Sequence, residues 1–127
     1  DFLTTHEDVA WVRHPDLPDH PGYDIAKRLM PRGAGSIIAF GVKGGREAGR
    51  AFIEAVELSS HLANVGDAKT LVIHPASTTH SHIDADAMKA GGLSDDMIRL
   101  SVGLEDVADI KADFESGFKA ARRAAAE

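Results

Sequence analysis

The sequence predicts an α/β sandwich, one sheet covered by helices. Three observations carry that expectation. Short runs rich in Val, Ile and Leu alternate with stretches of helical period. The 127 residues make one ordinary domain, long enough to close a core of its own. Hydrophobic residues at 43% and charged residues at 27% strike a globular balance rather than that of a disordered chain.

Residues 9–13 (VAWVR) read as a short strand. Three prolines within residues 15–21 then impose an extended surface loop. Pro21 suits the first turn of a helix that continues through YDIAKRLM and stops at Pro31. Residues 36–42 (SIIAFGV) are apolar on both faces, as in a central strand. Gly44–Gly45 turns the chain into a helix with Ala48, Ala51, Phe52, Ala55 and Val56 on one side and Glu47, Arg50, Glu54 and Glu57 on the other. LSSHLANVGD has no period and reads as loop or short irregular strand. TLVIH (70–74) is a strand followed by the polar loop PASTTHS. Residues 84–90 form a short helix ended by Gly91–Gly92, and MIRLSVG (97–103) is a strand. The last helix begins near Glu105 with Val107, Ile110, Phe114, Gly117, Phe118 and Ala121 on one face. Acids at its start and bases at its end complement its dipole. The resulting order is β-α-β-α-β-α-β-α; strand order within the sheet is not legible from it.

Composition excludes several functions. The formal charge of −6 works against a nucleic-acid or anionic-membrane partner, either of which needs a basic footprint. The absence of cysteine removes disulfides, thiolate metal sites and thiol nucleophiles. No apolar run approaches the roughly 18 residues of a membrane span, and no signal-peptide pattern opens the chain. A soluble, cytoplasmic domain is the expectation.

Strand 97–103 is the most informative element. Ile98, Leu100 and Val102 share one face, whereas Arg99, Ser101 and Gly103 share the other. An arginine beside two small residues makes a cationic spot with space around it, and a guanidinium holds a carboxylate through two parallel hydrogen bonds. The opposing reading is an ordinary arginine paired with Glu105 or another acid. His74, His80 and His82 cluster in one segment, and His80/His82 has the spacing of a strand-borne metal pair. With no third ligand at a recognised interval, backbone-bonded loop histidines are the expectation, and no metal is assigned. His14 and His20 read as surface residues. The glycine pairs match no phosphate-binding fingerprint.

The strings FGVKGGREAG (40–49), SSHLANVGDAKTLVIHPAST (59–78), HPASTTHS (74–81) and IRLSVGLEDVADI (98–110), in this order, resemble the C-terminal domain of the Cys/Met-metabolism family of pyridoxal-phosphate enzymes. Residues 9–36 (VAWVRHPDLPDHPGYDIAKRLMPRGAGS) resemble the segment that enters this domain. The ANVGDAKT loop is similar to that of the O-acetylhomoserine sulfhydrylase branch. Such enzymes of methionine biosynthesis replace the acetate of O-acetyl-L-homoserine by sulfide, giving L-homocysteine.

The resemblance implies a small, mixed, mostly antiparallel sheet with helices packed on one face, the C-terminal domain of a fold-type I pyridoxal-phosphate enzyme. Residues 1–20 would enter from the larger cofactor domain, and residues 21–127 would form the small domain. Arg99 matches the arginine that grips the substrate α-carboxylate, Asn64 and Val65 match the loop assisting it, and Thr79 matches a threonine near the substrate pocket. His74 and His80 become scaffold residues. None of Lys27, Lys43, Lys69, Lys89, Lys111 and Lys119 stands in the family's Ser-x-Thr-Lys context. Catalytic and cofactor-binding residues, and pyridoxal 5'-phosphate itself, are therefore expected in a preceding domain, and this segment alone is expected to be inactive. The implied partners are a small amino-acid substrate and further copies of the chain, as a homotetramer.

Two other classes remain open at this point: a stand-alone α/β module binding a carboxylate metabolite through Arg99, and a histidine-based metal protein. Within the family, cystathionine γ-synthase and methionine γ-lyase chemistry also remain open.

Overall fold

The computed structural model describes residues 1–78 and 85–126. Helix α1 (Phe2–Thr5) leads into strand β1 (Val9–Arg13), helix α2 (Tyr23–Leu29), strand β2 (Ile37–Val42) and helix α3 (Gly45–Ala55). Strands β3 (Ser60–His61) and β4 (Leu71–Ile73) follow, then a 3-10 turn at Pro75–Ser77, helix α4 (Ala85–Ala90), strand β5 (Met97–Ser101) and helix α5 (Val107–Ala125). The five strands lie in the order β1-β2-β5-β4-β3. Pairs β1–β2, β2–β5 and β4–β5 are antiparallel, and β3–β4 is parallel. The sheet is thus mixed and mostly antiparallel, as expected from the resemblance.

Strand parity decides which face is buried. Ile38 stands opposite Leu100, Phe40 opposite Ile98 and Val72 opposite Leu100. These side chains meet Ala48, Phe52 and Ile53 of α3 and Ile110, Phe114, Phe118 and Ala121 of α5 in one core. Phe52 touches the rings of Phe40, Phe114 and Phe118 with centroids 4.9–5.7 Å apart, within the range where aromatic pairs add to plain area burial. Helices α3 and α5 therefore cover the same face of the sheet.

Several element ends differ from the sequence expectation, each for a local reason. Helix α1 is a single turn, too short to show a period. Helix α2 starts at Tyr23 because the His20 ring accepts the Gly22 N–H at 2.9 Å, tying the preceding residues into a turn. Strand β5 ends at Ser101 because the Gly103 N–H leaves the ladder for Thr70 Oγ1 at 2.9 Å. Helix α5 starts at Val107 because Asp106 Oδ1 accepts the Ala108 N–H at 2.7 Å, a cap contributing about 1 kcal/mol. Val107, expected on the buried face, is 63% exposed at the first residue of the helix. In α3 the buried stripe runs through Ala48, Gly49, Phe52 and Ile53 rather than through Ala51 and Ala55, which are only half-buried. Strand β1, within the first 20 residues, forms one edge of the sheet.

Candidate functional site

The face of the sheet opposite the helices carries Trp11 and Arg13 from β1, Ile37, Ala39 and Gly41 from β2, Met97, Arg99 and Ser101 from β5, and Leu71 and Ile73 from β4. Arg99 is central in this set, with Ala39 opposite it on one side and Ile73 on the other.

Arg99 is half-buried, and its Nη2 donates to the Asn64 carbonyl at 3.5 Å. Among the described residues it forms no ion pair. The alternative partner, Glu105, is directed elsewhere: its carboxylate accepts the Thr70 N–H at 2.7 Å and the Thr70 hydroxyl at 2.6 Å. Desolvation alone would raise the Glu105 pKa, but the two Thr70 hydrogen bonds, together with its own backbone N–H and the nearby Lys69 charge, hold the carboxyl below its ordinary value.

The space expected beside Arg99 is narrower than strand parity suggested. Ser101 is 2% exposed and its hydroxyl has no hydrogen-bond partner among the described residues. At Gly103 the backbone of residues 68–70 crosses so closely that a Cβ would lie 2.5 Å from the Ala68 carbonyl oxygen. Glycine at 103 therefore serves a backbone crossing rather than leaving room for a ligand.

Asn64 and Val65 are exposed, and the structure brings their loop to Arg99 through the Asn64 carbonyl. Asn64 Oδ1 accepts the Val65 N–H at 2.8 Å, and its amide donates to Asp67 Oδ2 at 3.3 Å. Asp67 Oδ1 in turn accepts the Lys69 N–H at 3.0 Å, so the loop is organised by its own side chains. Thr79, His80 and His82 lie outside the described residues.

His74 is a scaffold residue, fully buried. Its Nε2 donates to the Asp95 carbonyl at 2.6 Å, and Nδ1 faces the Ser77 hydroxyl at 2.8 Å. Burial pushes its pKa below 6.5, opposed in part by the bond to Asp95. No group of three or more metal-ligating side chains exists among the described residues. His14 and His20, expected at the surface, are half-buried, and each accepts the N–H two residues ahead through Nδ1. A histidine in this position mimics an Asx turn, a role that spacing does not reveal. Asp113, which no motif marked, accepts the N–H groups of Glu57, Leu58 and Ser59 at 2.7, 3.0 and 2.9 Å. An apolar cavity of about 260 Å³ lies on the helical side, lined by Phe2, Val12, Ile38, Leu100, Ile110 and Phe114 among others, and is separate from Arg99. No helix among the described residues is long and apolar enough to cross a membrane.

The fold superposes with a TM-score of 0.84 on cystathionine γ-synthase from Xanthomonas oryzae pv. oryzae in complex with cystathionine, at 35% identity, covering 96% of this chain and 31% of that one. The chain belongs to the Cys/Met metabolism PLP-dependent enzyme family, whose profile matches residues 1–119. It is 49% identical over 114 residues to O-acetyl-L-homoserine sulfhydrylase 1 from Thermus thermophilus, covering 90% of this chain and 27% of that protein. It is 45% identical over 119 residues to L-methionine γ-lyase from Fusobacterium nucleatum, covering 94% of this chain and 30% of that protein. The chain thus spans less than a third of the length of these relatives.

Pyridoxal phosphate is the cofactor of this family. The residues described here do not make a place for it. Lys27, Lys43, Lys69, Lys111 and Lys119 are all exposed. Lys27 pairs with Asp16 at 3.0 Å and Lys43 donates to the Glu7 carbonyl at 2.6 Å. The strand face bearing Arg99 offers the guanidinium groups of Arg13 and Arg99, the Ser101 hydroxyl and the Asp96 carboxylate, which accepts from Trp11 Nε1 at 2.9 Å, but among the described residues no lysine amine for the cofactor aldehyde.

Proposed function

We propose that this chain is the C-terminal portion of a pyridoxal-phosphate-dependent transferase that converts O-acetyl-L-homoserine and sulfide to L-homocysteine and acetate. Residues 1–20 bring the polypeptide in from the larger, cofactor-holding portion and add strand β1 to the edge of the sheet, and residues 21–127 make the rest of the small domain. The complete enzyme is read as a cytoplasmic homotetramer. Catalytic residues and the cofactor belong to the larger portion, and this segment's task is to hold the substrate.

The observation that carries this reading is the junction of Arg99 with the Asn64 carbonyl on the face of the sheet opposite α3 and α5. Arg99 supplies two N–H donors in the plane of the substrate α-carboxylate, a charge-assisted pair stronger than neutral hydrogen bonds. Asn64 and Val65 flank that carboxylate, and Thr79 keeps the substrate-binding role that the family resemblance implies. Fixing one end of the amino acid fixes the rotation of its Cα substituents, and orientation of that kind supplies several kcal/mol of rate enhancement.

The sulfhydrylase branch is supported by the 49% identity to the Thermus enzyme and by the ANVGDAKT loop. The methionine γ-lyase relative, at 45%, favours elimination as the second reading. The complete polypeptide, loaded with cofactor, decides between them. Given O-acetyl-L-homoserine and sulfide it is expected to release homocysteine stoichiometrically with acetate. Methanethiol released from L-methionine, with no homocysteine from the first pair, would overturn the assignment.

A further inference from the structure

We propose that Glu105 and Thr70 are positioning residues for substrate-carboxylate recognition: their mutual contact fastens the 64–70 loop to the end of β5 and thereby holds the Asn64 carbonyl at Arg99. The inference rests on the reading that Arg99 grips a carboxylate.

Four hydrogen bonds join the two segments. Glu105 Oε1 accepts the Thr70 N–H at 2.7 Å, Glu105 Oε2 accepts the Thr70 hydroxyl at 2.6 Å, Thr70 Oγ1 accepts the Gly103 N–H at 2.9 Å, and the Ala68 carbonyl accepts the Leu104 N–H at 2.8 Å. Thr70 is fully buried, so its hydroxyl has no solvent alternative to these partners. Gly103 permits the close crossing that places the segments in register.

The clamp connects to the site through a short series of contacts. Next to Thr70, the Lys69 N–H binds Asp67, Asp67 accepts from the Asn64 amide, and the Asn64 carbonyl meets Arg99. Residues 61–66 are all exposed, so no buried apolar side chain holds the loop tip in place. Its position is set by hydrogen bonds, and the clamp is where that series is rooted in the buried part of the fold. Asn64 O is the acceptor that turns the Arg99 guanidinium, so a drift of the loop turns the carboxylate clamp as well. Displacements of about 1 Å at an orienting group change rates on the order of a hundredfold.

The test compares four variants of the complete, cofactor-loaded enzyme: T70V, T70S, E105Q and R99A. Valine keeps the shape of threonine without the hydroxyl, whereas serine keeps the hydroxyl. T70V and E105Q are expected to raise KM for the amino-acid substrate about tenfold with kcat changed by less than about threefold, while KM for sulfide stays unchanged. T70S is expected to stay within about twofold of the wild type. A role confined to folding would lower the yield of active enzyme at unchanged KM. If R99A raises KM but T70V and E105Q match T70S, the clamp has no positioning role and the inference fails alone. If R99A leaves KM unchanged, the carboxylate reading itself fails and the inference with it.

Discussion

The His74 ring lies directly beneath Gly49: a Cβ at position 49 would sit 2.7 Å from Nε2. Here α3 packs on the residue that follows β4. Replacing Gly49 by alanine adds about 1 kcal/mol of helix propensity, but it drives a methyl group into a fully buried imidazole whose two nitrogens are already bonded. Overpacking of this kind costs about 1–3 kcal/mol. Gly49→Ala is expected to lower the urea midpoint of the complete enzyme, and Gly49→Val to lower it further.

The same imidazole gives stability a definite pH dependence. Burial holds the folded-state pKa of His74 below its unfolded value near 6.5. The unfolded chain therefore binds the proton first. Stability is fully present above about pH 6.5 and is lost as pH falls toward the folded pKa. The depressed carboxyls of Glu105 and Asp113 add losses of the same sign below about 4.5 and 3.8. Urea midpoints measured from pH 8 to 5 should fall for the wild type and fall less for His74→Gln. A wild-type midpoint that rises on acidification contradicts this account.

Asp113 secures the end of α3 to α5. Its carboxylate takes three consecutive backbone N–H groups, from Glu57, Leu58 and Ser59. Asp113→Ala leaves those donors without a protein acceptor and is expected to cost about 2–3 kcal/mol. Hydrogen exchange at the amides of residues 57–59 should accelerate in that variant ahead of exchange in β5.

Much of this architecture was legible because strand parity and helical period are local signals. Ile98 and Leu100 face the core and Arg99 faces away, as alternation in MIRLS requires. The Phe114 and Phe118 stripe of α5 is equally plain. What alternation could not supply was the occupancy of the second face. The Thr70–Glu105 contact joins residues 35 apart, and that of Asp113 with Glu57 joins residues 56 apart. No spacing rule reaches so far. Glu105 stood as a partner for Arg99 by proximity in sequence, but the chain turns after Gly103 and carries its carboxylate to Thr70 instead. The Asn64 loop illustrates the complementary case. It has no period, and its shape comes from side chains bonding their own backbone.

Glu7 and Asp8 tether the start of the chain to its last helix through Arg122, and His6 stacks on Phe118 at 4.1 Å. Arg122→Ala removes the cation facing the buried Asp8. It is expected to destabilise the enzyme by about 1–3 kcal/mol, with KM for the amino-acid substrate unchanged. A change in KM would mean that this tether also shapes the Arg99 face.

The most direct measurement is the affinity of the complete, cofactor-loaded enzyme for its amino-acid substrate when Arg99 is replaced. Arg99→Ala should weaken substrate binding and lower kcat/KM on the order of a hundredfold, with Arg99→Lys recovering only part, since an ammonium cannot form the planar double hydrogen bond. Wild-type kcat/KM in the alanine variant would contradict the account.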